Sequence, residues 1–276
     1  MTDTVGKAGD SPLGFGEYEI VRALRPSESS ERYLVRDAVR LSHHVAYRCE
    51  LPVSCGREQF LNAAAASARL DCPNVLPIEQ FAFAGEQAAW IISPYTGDHD
   101  GLVLLSDVLA DRDRPFDFGE ASRAVHQLRV AIDAIHTGCG PQGTFGLRDV
   151  HVDRAGRLLI ELPGLNLTGI ADSPEARRVE VRCLAAIWYE LITGIAPGEA
   201  PIPPTRLATG LPSAVDRGLM GALDPAAGFE TTAEFFQAVE GADSGADRAD
   251  EPVRPAIARL GFLRRRTGVG RDQSER

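Results

Sequence analysis

The chain has 276 residues, 44% of them apolar and 25% charged, with a formal net charge of −10. Those proportions describe a globular protein long enough for one large or two-lobed core, and no run of about 18 apolar residues is present to cross a bilayer. The charge is uneven: residues 253–276 hold seven arginines against Asp272 and Glu275, which leaves −15 on residues 1–252 and argues against nucleic-acid binding through the body.

Residues 1–15 are rich in small and polar residues, read as a disordered tail, and lack the apolar segment of a signal peptide. Alternating apolar and β-branched residues then predict strands over 18–24, 31–37, 45–51, 76–83 and 88–94. A helix is expected over 57–70, where Phe60, Leu61 and four successive alanines fall. Beyond residue 97 the pattern turns helical, over 102–109 and 121–136. Short strands at 150–152 and 158–162 flank a turn at Ala155-Gly156, and an apolar helix over 181–193 ends at Gly194, a residue suited to a helix C-terminus. Helices over 213–223 and 231–239 close the pattern. From Gly241 the chain reads as a flexible linker and tail, basic at its end. Arg264-Arg265-Arg266 beside Leu260, Phe262 and Leu263 would suit an anionic partner or membrane surface. Five cysteines (Cys49, Cys55, Cys72, Cys139, Cys183) show no C-x-x-C pairing, so neither structural zinc nor a disulfide framework is expected, and free thiols point to the cytoplasm.

Several phrases carry a resemblance. Val181-Arg182-Cys183-Leu184-Ala185-Ala186-Ile187-Trp188-Tyr189-Glu190-Leu191-Ile192-Thr193-Gly194 is similar to the central C-lobe helix of bacterial Hanks-type (eukaryotic-like) Ser/Thr protein kinases. Leu70-Asp71-Cys72-Pro73-Asn74-Val75, Ile135-His136-Thr137-Gly138, and Asp224-Pro225 with Thr231-Thr232-Ala233-Glu234-Phe235 follow in the family's order. The resemblance spans residues 17–240. It implies an α+β, two-lobed kinase-like fold: a five-stranded antiparallel sheet plus helix in an N-lobe at 16–97, and a mostly helical C-lobe at 98–240.

The same resemblance implies a set of functional positions, and this sequence departs from the family at each. Phosphoryl transfer depends on positioning and charge. The glycine-rich phosphate loop corresponds to residues 24–31, which contain no glycine. The strand-three lysine corresponds to Arg48 in Val45-Ala46-Tyr47-Arg48; the chain's one lysine is Lys7. Arginine keeps the charge but not the shape. The helix glutamate that pairs with that lysine corresponds to Ala63. In Gln142-Gly143-Thr144-Phe145-Gly146-Leu147-Arg148-Asp149 the catalytic aspartate becomes Thr144, the lysine Gly146 and the metal-binding asparagine Asp149. A register on Arg148-Asp149 would put His151 and Arg154 at the last two positions and shorten the hairpin by five residues, and is not preferred. The metal-binding aspartate of D-F-G corresponds to Leu162, with Glu161 beside it. Asp117-Phe118-Gly119 lies too early to be that motif, and Asp117 suits a helix N-terminus. Fifteen residues separate Gly164 from Glu180, a short activation segment.

From these departures the expectation is a protein without catalytic residues, cofactor or metal: a pseudokinase that serves as a protein-interaction or scaffolding module. The alternative is an atypical or residual ATP-binding Ser/Thr protein kinase using Asp149 or Glu161 for metal and Arg48 for phosphates. A nucleotide, if bound, would meet Arg48 and the hinge at Ser93, Pro94 and Tyr95.

Overall fold

The computed structural model describes residues 18–27, 30–51, 56–97, 101–161 and 171–241. The N-terminal tail, Cys55, Leu162 and the basic C-terminal segment lie outside the described residues.

The first lobe is a five-stranded sheet of β1 (Tyr18–Ala23), β2 (Glu31–Asp37), β3 (His43–Glu50), β4 (Gln80–Phe83) and β5 (Ala88–Pro94). Its order is β1-β2-β3-β5-β4, and every neighbouring pair is antiparallel. Side chains alternate across a strand. On β3, Val45, Tyr47 and Cys49 join the main core, whereas Ala46 packs on the outer face with Tyr18, Val35, Trp90 and Ile92. Helix α1 (Arg57–Ser67) covers the inner face through Phe60 and Ala64. The Phe60 ring lies 5.2 Å from Phe83 and 6.2 Å from Phe81.

The second lobe holds α2 (Leu105–Ala110), α3 (Phe118–Gly138), the hairpin β6 (Val150–Val152) and β7 (Leu158–Ile160), α4 (Pro174–Thr193), α5 (Ser213–Leu223) and α6 (Thr232–Glu240). Its centre is α4, whose Trp188 stacks on Phe118 with ring centroids 6.0 Å apart and meets Phe235 and Phe236. The α4 helix ends at Gly194 in the left-handed conformation, φ 76°, which glycine adopts without a Cβ penalty. Asp117 caps α3: its carboxylate accepts the Glu120 N–H, and the Glu120 carboxylate returns to the Asp117 N–H. Among the described residues no helix is long and apolar enough to cross a membrane. The architecture is the α+β two-lobed fold that the sequence led us to expect.

Several boundaries differ from expectation, two of them for a local reason that the hydrogen bonds show. The fourth strand begins at Gln80 rather than 76 because Leu76 donates its N–H to Ile160 at 2.8 Å, and Val75 bridges to the same residue in the other lobe. Asn74 reinforces that crossing by donating from Nδ2 to the Leu158 carbonyl. Helix α1 stops at Ser67, three residues early. Helix α4 starts seven residues early, at Pro174, because Ser173 accepts the Ala176 N–H and proline occupies the first turn, where its missing N–H costs nothing.

Candidate functional site in the cleft between the lobes

Strand phase decides which side chains reach the cleft. Tyr47 faces inward and is 1% exposed. Arg48, one residue on, faces the other side of the sheet. Its guanidinium lies 2.7 Å from Glu50 and 3.4 Å from Glu31, with its side chain 37% exposed. The sequence reading of Arg48 as the cationic residue of the cleft is therefore corrected. Period-two geometry gives that place to Tyr47.

The cation of the cleft is Arg32, on β2. Its side chain is fully buried and ion-pairs with the Glu161 carboxylate, also fully buried, just after β7. The Arg32 Nη2 donates to the Arg148 carbonyl at 2.9 Å and sits 3.8 Å from the Asp149 carboxylate, while Nη1 donates to the Arg25 carbonyl at 3.4 Å. The Arg32 Nε is buried with no hydrogen-bond partner among the described residues, an uncommon state for a buried donor.

Glu161 divides its two oxygens. Oε1 faces Arg32, and Oε2 accepts the His151 Nε2–H at 2.8 Å. His151, on β6, has no solvent exposure. The Thr96 hydroxyl lies 3.2 Å from its Nδ1, and the Tyr47 hydroxyl 3.4 Å from its Nε2. Burial pushes the Glu161 carboxyl up, but the His151 hydrogen bond and the Arg32 charge outweigh it and hold the pKa below the ordinary glutamate value. Burial, then the Glu161 charge, drives the Tyr47 hydroxyl well above its usual value and the Cys49 thiol up to about 12. Tyr47 and Cys49 thus stay neutral beside the Arg32–Glu161 ion pair.

The other predicted positions are scattered around this centre. Ala63 lies on α1 and packs against the core. Thr144 is exposed. Gly146 donates its N–H to Asp149 Oδ2 at 2.8 Å, and Asp149 is 8% exposed. Ser93 is buried on β5 opposite Val45, and the Tyr95 ring lies 6.5 Å from His43. The hinge reaches the cleft through Thr96. Leu162 lies outside the described residues. Glu180 accepts the N–H groups of Gln142 and Gly143, which fixes the loop that leads into Thr144.

Arg32, Tyr47 and Thr96 did not emerge from the motif positions, and His151 did so only in the register that was not preferred. Their signal was a charged or polar residue in a buried phase of a strand: Arg32 two before Leu34, and His151 between two valines.

Nucleotide phosphates and a divalent ion call for a cation and hard oxygen donors, often one or two carboxylates plus the phosphates themselves. Arg32, with its unspent Nε, and the Asp149 and Glu161 carboxylates meet that chemistry. No group of three or more His, Cys, Asp or Glu among the described residues is placed to hold a metal unaided. The space is a separate matter: Arg32, Glu161 and His151 fill the floor of the cleft with one another.

No protein-family model matches the chain, and no curated protein sequence does. Solved structures do. The Mycobacterium tuberculosis PknI kinase domain superposes with a TM-score of 0.66 at 23% identity, covering 86% of this chain and 98% of that one. A double mutant of that domain matches at 0.67 and 22%, and a further structure of the domain at 0.65 and 22% with 84% of this chain covered. The fold is that of a protein kinase domain.

These matches correct the expectation that the chain is not an enzyme: the structures it superposes on are kinase domains. Missing motif residues do not by themselves describe what stands between the lobes. A buried cation and two carboxylates stand between the lobes; the comparison made motif by motif named Asp149 and Glu161 but overlooked Arg32, which comes from β2.

Proposed function

We propose that the chain is an atypical protein kinase of the Ser/Thr class that binds ATP in the interlobe cleft. Arg32 would take the phosphates, and Asp149 and Glu161 would hold the accompanying divalent ion, which supplies charge neutralisation at the transferred phosphoryl group. The observation that supports this most is the fully buried Arg32 guanidinium, whose Nε has no partner among the described residues, set among two carboxylates between the lobes. An arginine presents a planar fork that suits phosphate oxygens. Thr96 and His151 position Glu161, and Tyr47 closes the inner wall. We place the lobe division at residues 97 and 98, a short way past the end of β5 at Pro94. The basic segment at 253–276 would serve an anionic partner, in a cytoplasmic setting.

A thermal-shift titration with ATP and ADP, with and without magnesium, tests the reading. Stabilisation by several degrees at sub-millimolar nucleotide, dependent on magnesium and reduced in Asp149→Asn, is expected. No shift with any nucleotide would refute it. Labelled phosphate transfer from ATP to a Ser/Thr peptide mixture, lost in the same variant, tests the catalytic half.

A further inference from the structure

We infer that the Arg32–Glu161 ion pair is a lock between the lobes, opened when a polyphosphate takes the Arg32 guanidinium in place of the Glu161 carboxylate. The inference rests on the ATP-binding reading above and adds its regulation.

The two partners belong to different lobes, Arg32 to the sheet and Glu161 to the end of the β6–β7 hairpin, and neither side chain touches solvent. Arg32 also crosses the gap to the Arg148 carbonyl. A second pair spans the same gap farther out, with Arg25 Nη1 2.7 Å from Asp107 Oδ1. A buried ion pair is a poor source of net stability, because desolvation consumes most of the attraction, yet stranding one partner is very costly. Such a pair therefore discriminates sharply between ligands. A neutral ligand that wedged the lobes apart would leave Arg32 in the cleft without its anion. A polyphosphate replaces the anion, and its oxygens can also take the Nε donor, which has no partner among the described residues.

The geometry lowers the cost on the other side as well. Glu161 bonds Arg32 through Oε1 and His151 through Oε2. On losing Arg32 it keeps His151, and the freed oxygen becomes available to a divalent ion. The exchange is one of partners only: no covalent bond forms or breaks.

The test uses the full chain, sodium tripolyphosphate and Mg-ATP as probes, and two variants. Arg25→Ala removes the outer pair and leaves the cleft residues in place. Glu161→Gln keeps the side-chain shape and removes the competing anion. Amide hydrogen exchange at Leu24, Arg32 and Leu34 is expected to rise several-fold in Arg25→Ala and at least about tenfold in Glu161→Gln. Tripolyphosphate without metal is expected to bind about 2–5-fold tighter to Arg25→Ala, the range set by one exposed ion pair, and more than about tenfold tighter to Glu161→Gln, since a buried competing charge is gone. Unchanged exchange in both variants would overturn the lock. Raised exchange with no tripolyphosphate binding would overturn the partner exchange. Absence of Mg-ATP binding even to the opened Arg25→Ala protein would instead count against the ATP reading. If Glu161→Gln does not fold, Arg25→Ala carries both measurements.

Discussion

Glu180 on α4 accepts the backbone N–H of Gly143 at 2.9 Å through a carboxylate that is almost wholly buried. The same oxygen takes the Gln142 N–H, and the other faces His136 Nε2 on α3. One side chain thus joins two helices to the loop before the β6–β7 hairpin. Truncation by Glu180→Ala leaves three part-buried donors without their acceptor, a loss of about 3–5 kcal/mol. For a chain of this size that is a fall in Tm of about 6–15 °C, to be read by calorimetry or circular dichroism.

Arg32 and Arg48 should respond very differently to the same substitution. Arg48→Ala removes a half-exposed side chain with carboxylate neighbours at the sheet surface, and a change within about 0.5 kcal/mol is expected. Arg32→Ala leaves the Glu161 carboxylate buried without its cation, at a cost of about 3–5 kcal/mol. Urea denaturation of the two variants decides which arginine belongs to the cleft, and equal effects would contradict the side-chain phases described above.

Burial raises the Glu190 carboxyl above the ordinary glutamate value, against a smaller lowering by Arg148. A carboxyl raised in the folded state favours folding while it is protonated. That contribution is present below the unfolded value of about 4.3 and is lost as pH rises through the folded one. Glu190→Gln should therefore stabilise the protein at pH 7, with Tm up by about 1–3 °C, and should have little effect at pH 4. Melting curves across that interval provide the check.

Two glycines of α5 should respond to alanine with opposite signs. A Cβ on Gly218 would lie 2.8 Å from the backbone of Val239 on α6, whereas one on Gly221 would meet only the Phe229 ring at 3.7 Å. Gly218→Ala forces α5 and α6 apart, for a loss of about 1–3 kcal/mol. Gly221→Ala gains helix propensity, up to about 1 kcal/mol of stabilisation. Chemical denaturation of both variants measures the difference.

Much of the fold was legible in the sequence because its signals are local. Alternation marked β2 and β5 to the residue, Asp117 and Glu120 wrote a capping box, and Thr193-Gly194 ended α4 where a left-handed residue was needed. The start of β4 was not legible, since Leu76 looks like strand but spends its hydrogen bond on the other lobe. The cleft was the least legible part. Val45-Ala46-Tyr47-Arg48 aligns Arg48 by motif, yet the phase of β3 turns Tyr47 inward and Arg48 out. The ion pair across the cleft joins residues 129 positions apart, a distance at which sequence pattern carries no information about contact. Glu161 was visible only as a neighbour of Leu162, and Arg32 only as one arginine among many.

Among the described residues, backbone of the sheet lobe reaches the other lobe at two neighbouring places. Asn74 to Leu76 is bonded to β7, Glu79 then donates its N–H to Ile92 at 2.8 Å, and β5 itself runs out toward the other lobe a few residues later. Among the described residues the sheet lobe is thus pinned along one side by two adjacent stretches of backbone, while the Arg25 and Arg32 side chains bridge the lobes elsewhere. Mechanically that is a door on a single axle. Turning about that side disturbs the fewest backbone bonds, and the leverage of any charge that binds near Arg25 or Arg32 grows with its distance from the axle.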